Sequence, residues 1–159
     1  MKKRKWSVAR IILTVLTVAA VAAIFYNSSL SAVESTGQSS PLTEMINRFL
    51  ASVRIPLTLT EGMIRKFAHF TEYAVLGTLL TTTVHLYTQK RGKTLLCALP
   101  TGALIAVIDE LIQLFPAGRS CEVRDMVIDF SGIVFGALIV TLIISFLEKR
   151  SQNKQLKEG

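Results

Sequence analysis

The sequence predicts an all-α, polytopic membrane protein, a four-helix transmembrane bundle with a short extracytoplasmic amphipathic helix. Three observations carry this. Half of the 159 residues are hydrophobic, and the mean hydropathy is +0.47. Charged residues make up 18% of the chain, against about a quarter in soluble domains. The charges are also segregated: four long apolar stretches hold few of them, and the connecting segments hold the rest. This composition excludes a disordered chain, which would be less apolar, and a disulfide scaffold, since only Cys97 and Cys121 are present. The net charge of +7 is explained by membrane orientation, not by nucleic acid.

A helix rises ~1.5 Å per residue and the hydrocarbon core is ~30 Å thick, so a span needs ~20 residues. The first apolar run, residues 11–26, is uncharged but short, and leans on Trp6 and Tyr26 as interfacial anchors. A basic start and Ala20-Val21-Ala22 imitate a signal peptide, but Ile24, Phe25 and Tyr26 prolong the run past that point, so an uncleaved anchor is expected. Residues 67–87, 94–115 and 126–147 qualify as spans outright. The membrane domain therefore covers 11–147, between a basic N-terminus (1–10) and a tail (148–159).

Basic residues orient the spans. Lys2, Lys3, Arg4, Lys5 and Arg10 precede the first span, and Lys90, Arg91 and Lys93 lie between the second and third, with no acid in either segment. Lys149, Arg150, Lys154 and Lys157 outnumber Glu148 and Glu158 in the tail. The 27–66 and 116–125 loops are balanced instead. Both termini are expected in the cytoplasm of a multi-pass cell-membrane protein, with the balanced loops outside. In the first of these loops, residues 27–40 are expected to be irregular. Ser40-Pro41 then reads as an N-cap and first helical position, and Leu42, Met45, Ile46, Phe49 and Val53 recur at helical spacing until Arg54-Ile55-Pro56. That helix either lies on the outer membrane surface or packs against the tops of the spans. Cys97 and Cys121 fall most of a bilayer apart, which excludes a disulfide; Cys97 reads as a core residue and Cys121 as an exposed thiol.

Ionisable residues inside spans are costly and need a partner or a purpose. Span two opens with Lys66, His69, Glu72 and Tyr73; span three closes with Asp109, Glu110 and Gln113; span four opens with Arg124, Asp125 and Asp129. At ~1.5 Å per residue, His69 lies ~4.5 Å and Glu72 ~9 Å below Lys66, Asp109 ~9 Å below Phe115, and Asp129 ~6 Å below Asp125. Three helices thus deliver polar groups to one slab in the outer third of the membrane. At ~100° per residue each helix also gathers them on one face, and Gly132-x-x-x-Gly136 continues that face as a close-approach stripe. Pairing of Lys66, Arg119 and Arg124 with the acids would hold the bundle together, but leaves acids in excess and does not use His69 or Gln113. His85 reads as an interfacial residue without a role.

Lys66-x-x-His69-Phe70-x-x-Tyr73-x-x-Leu76-Gly77, Asp109-Glu110-x-x-Gln113 with Phe115-Pro116-x-Gly118-Arg119-Ser120, and Asp125-x-x-x-Asp129-x-x-Gly132-x-x-x-Gly136 together resemble the VanZ-like family of small membrane proteins. Asn27-Ser28-Ser29 resembles that family's Ser-rich stretch, and the likeness covers roughly residues 25–140. One departure is Asp129, where the family pattern usually carries Asn. The resemblance implies about four membrane helices and an envelope role linked to low-level resistance to teicoplanin, a lipidated glycopeptide. It assigns no catalytic roles.

Three functions compete. The first is a non-catalytic module binding a membrane lipid, a lipid-linked cell-wall precursor or a lipidated glycopeptide at the outer leaflet. There Lys66, Tyr73, Gln113, Arg119, Arg124 and Asp125 would meet the head group, above a cavity for the chain. The second is a membrane-embedded hydrolase or transferase with His69 as base, Glu72 or Asp129 orienting it, and Asp109 and Glu110 as acid or cation ligands. The acids would tolerate Mg²⁺, but no metal-ligand spacing is present, and the cofactor is unspecified. The third is a small proton-coupled transporter, disfavoured because the polar groups stop in the outer third.

Overall fold

The computed structural model describes the backbone of residues 2–158 and the side chains of 8–37 and 39–156, so the expected Trp6 anchor lies outside the described side chains. Within those limits the protein is entirely helical: α1 Lys2–Ser28, α2 Ala32–Ser52, α3 Glu61–Thr88, α4 Arg91–Ile112 and α5 Val123–Glu158. Three helical stretches are long and apolar enough to cross a membrane, Val8–Ser28, Arg91–Ile112 and Val123–Leu156.

α3 is not among them, because His69, Glu72 and a run of threonines dilute its hydropathy. It lies at the centre instead, packed against each of the other four helices and most extensively against α5. Its polar side chains are satisfied locally or inward. Thr78 and Thr82 donate to the carbonyls of Ala74 (2.9 Å) and Thr78 (2.7 Å), and Thr83 pairs with Thr17 of α1 at 2.9 Å.

The α3–α5 crossing is built on glycines. A Cβ on Gly132 or Gly136 would run into the α3 backbone at Phe70, Ala74 and Thr78, and one on Gly77 into the backbone of Ile133. Ile133, fully buried, also fills the room beside Gly102 of α4. Around it Ile24, Tyr73, Leu76 and Ala106 close the core. Missing Cβ atoms let the backbones approach, the small-residue mode of helix association.

The two ends of the molecule differ. At one, Arg10 donates to the carbonyl of Leu86 (3.1 Å) and its guanidinium lies 5.4 Å from the Tyr87 ring centroid. Arg91 bonds Ser145 (2.8 Å) and pairs with Glu148 there, and His85 pairs with Thr94 at 3.2 Å. The predicted acidic and basic groups of the slab lie at the opposite end.

Two expectations are corrected. Residues 32–40 are helical, not irregular, because Ser31 and Glu34 form a capping box: the Ser31 amide donates to Glu34 (2.8 Å) and the Glu34 amide to the Ser31 hydroxyl (3.3 Å). Pro41 therefore sits inside α2 rather than at its start. Its apolar face is divided, with Leu42 and Ile46 turned to a groove against α1 and α3 and Met45 and Phe49 exposed. Second, Cys97 is exposed on α4, not in the core, while Cys121 is half-buried; both thiols are free. The tail, to which the sequence assigns no fold, continues α5 as helix.

Candidate functional site

Three helices converge at the polar end. α3 carries His69, α4 carries Asp109 and α5 carries Asp129, and one potential ligand atom from each lies within 4.8 Å of the others. Asp109 and Asp129 are fully buried. His69 Nδ1 stands 3.5 Å from Asp129 Oδ1, long for a hydrogen bond. Asp109 Oδ1 and both Asp129 carboxylate oxygens lack a hydrogen bond, as does the hydroxyl of fully buried Tyr73, which lies beside Asp109. Gln113 caps the group, donating weakly to Asp109 Oδ2 and to the Ser28 hydroxyl, both at 3.4 Å.

Above this trio opens a small polar cavity of about 90 Å³, lined among others by Arg65, Lys66, His69, Gln113, Arg119 and Asp129. Lys66 pairs with Asp125 at 3.3 Å. Arg119 donates to the carbonyl of Ser28 (3.4 Å), and neither it nor Arg65 has an ion pair among the described residues. Burial, then the nearby Arg65, pull the Arg119 guanidinium below its ordinary pKa, although it remains charged at neutral pH. The two guanidinium groups thus face the cavity free of a direct ion pair, with Asp109 and Glu110 acting on Arg119 from further off and Glu122, Asp125 and Asp129 in the same lining.

A second cavity of about 150 Å³ shares Arg65, His69 and Arg119 with the first and adds Asn27, Ser39 and Glu72. It shares Asn27, Leu42, Ile64, Ala68 and Glu72 with a third, of about 590 Å³, lined almost wholly by apolar residues of α1, α2 and α3, including Ala23, Ile24, Ile46, Phe67 and Val75. Glu72, accepting from Asn27 at 3.1 Å, belongs to both. The apolar space thus lies between α1, α2 and α3. Among α3, α4 and α5 the space that opens is the small polar cavity.

Of the sequence-predicted residues, His69, Asp109, Asp129, Tyr73 and Gln113 come together, and Lys66, Arg119 and Asp125 line the polar cavity. Glu110 does not join them. Fully buried, it accepts from the backbone amide of Glu122 (3.0 Å) and so pins the loop before α5. Arg124 is exposed, outside the cavity lining. Arg65 and Asn27 were missed: Arg65 follows no motif, and Asn27 depends on where α1 packs. The absence of metal-ligand spacing in the sequence has the same origin, since the three potential ligands come from three helices.

A family model described as VanZ/LLP1 matches residues 13–144, a stretch that takes in every one of these groups. Comparison with curated proteins and with solved structures gives no match.

Proposed function

The chain belongs to the VanZ/LLP1 family, and from that premise we propose that this helical membrane protein binds an anionic amphiphile at the outer leaflet. The head group meets Arg65, Lys66 and Arg119, and the chain lies in the groove between α1, α2 and α3. In this arrangement α1, α3, α4 and α5 all cross the bilayer, both termini are cytoplasmic, and α2 rests at the outer surface with Met45 and Phe49 toward lipid.

The observation that carries this reading is the adjacency of the three cavities, each sharing lining residues with the next: guanidinium groups without a direct ion pair at one end, an apolar trough at the other. A head group alone would need only the first cavity, and a detergent-like tail only the third. Phosphate and carboxylate both suit a paired-arginine site. A lipid-linked cell-wall precursor carries such a head and a long prenyl chain; a lipidated glycopeptide carries carboxylate and acyl chain. Sequestering either at the outer leaflet would reduce antibiotic action, which is the sense in which we read a teicoplanin-type resistance role.

Native mass spectrometry of the purified protein with undecaprenyl phosphate tests the proposal. One bound lipid per chain is expected, lost on Arg65→Ala with Arg119→Ala and also on Val75→Trp, which fills the groove. Equal lipid retention by all of these variants would reject it.

A further inference from the structure

We propose that His69, Asp109 and Asp129 bind one first-row divalent cation of the Zn²⁺ type beneath the polar cavity. The proposal rests on these residues and is independent of the amphiphile reading. The three donate from three different helices, with ligand atoms within 4.8 Å of one another. Two are carboxylates with no solvent exposure, and three of their four oxygens, Asp109 Oδ1 and both of Asp129, lack a hydrogen bond. Tyr73, equally buried, brings an unpartnered hydroxyl to the same point. Ionised carboxylates buried without compensation are costly, and a doubly charged ion neutralises both at once.

The donor set narrows the ion. One imidazole with two carboxylates is a mixed nitrogen and oxygen set, suited to Zn²⁺, Mn²⁺ or Fe²⁺, whereas Mg²⁺ and Ca²⁺ favour larger, all-oxygen shells. Zn–N and Zn–O bonds of ~2.0–2.2 Å place tetrahedral ligands ~3.4 Å apart. The His69–Asp129 separation of 3.5 Å already meets that, and the Asp109 ligand atom lies within 4.8 Å of both. Gln113, donating to Asp109 Oδ2, orients that carboxylate from outside, as partners of metal ligands commonly do. Three protein ligands leave a fourth position open, and since His69 and Asp129 line the polar cavity, that position faces Arg65 and Arg119.

The test uses full-length protein in detergent micelles, stripped with EDTA, given zinc chloride alone with no lipid, desalted and measured by plasma mass spectrometry. One zinc per chain is expected. His69→Ala and Asp109→Asn should each weaken binding by at least ~10-fold, the lower end of what disturbing even an outer partner costs, while Glu44→Gln on α2 binds as wild type. If His69→Ala does not fold, His69→Cys loaded with Co²⁺ keeps the proposal open to refutation: a cobalt–thiolate charge-transfer band is expected. Substoichiometric zinc on the wild type, unchanged binding by Asp109→Asn, or no such band would overturn the assignment. Because no lipid is present, that failure would leave the amphiphile reading standing.

Discussion

Arg65 and Arg119 share one cavity and neither makes a direct ion pair among the described residues. A charge-assisted hydrogen bond contributes ~1.5–3 kcal/mol, so Arg119→Ala should weaken binding of an anionic lipid about 10- to 100-fold, measurable by titration in micelles. Arg124→Ala, altering an exposed residue outside the cavity, should leave it unchanged. In cells, His69→Ala, Asp109→Ala and Arg119→Ala are each expected to abolish any glycopeptide phenotype while inserting normally; unchanged resistance in all three would reject the site. At the base of α2 a different residue-scale effect applies. Hydrogen bonds from Ser31 hold the Glu34 carboxyl below the ordinary value of 4.5. A depressed folded-state pKa contributes stability that is full above the unfolded value and lost as pH falls through the folded one. Hydrogen exchange at the start of α2 should therefore accelerate only below about pH 4.5, and Ser31→Ala should remove that pH dependence. The meeting of His69, Asp109 and Asp129 was legible in the sequence, because helical rise fixes depth and helical twist fixes face. The contact of Glu110 with the Glu122 amide is not legible in the sequence, because a loop folding back leaves no periodic trace.

Glycine and threonine decide how the elements sit. Gly136 faces the backbone of Ala74 and Thr78, so Gly136→Val cannot be absorbed by a rotamer change. Overpacking typically costs ~1–3 kcal/mol, and a lowered melting temperature in micelles is expected, with the same melting temperature as wild type contradicting the crossing. The Gly132-x-x-x-Gly136 stripe was readable in advance, whereas the groove it displaces toward α1 was not: a stripe says which helix comes close, not which one is left apart. α2 shows the reverse lesson. Its apolar periodicity is visible, but Ser40-Pro41 imitates a start signal while Ser31 and Glu34 supply the actual cap upstream. With Phe49 exposed, Phe49→Trp in vesicles should emit at short wavelength and be quenched by brominated lipid; a water-like emission would place α2 away from the bilayer.

For the whole molecule, charge asymmetry and packing agree on one axis. Arg10, Arg91 and Glu148 meet at one end, and the carboxylates, histidine and unpaired arginines meet at the other. Among the described residues three helices are apolar enough to cross a membrane, and α3 is not one of them because it carries the polar groups of the site. A central helix sheltered by four neighbours can carry His69, Glu72 and threonines where a lipid-facing helix could not. The most direct measurement is photocrosslinking of the protein in vesicles with a phosphate-headed prenyl analogue bearing a diazirine on its chain, followed by peptide mapping. Labels concentrated on Ala23, Ile24, Phe67 and Val75, and lost with Arg65→Ala plus Arg119→Ala, are the expected result. Labels spread evenly over the exposed faces of α4 and α5, at Leu104 and Leu138, would contradict it.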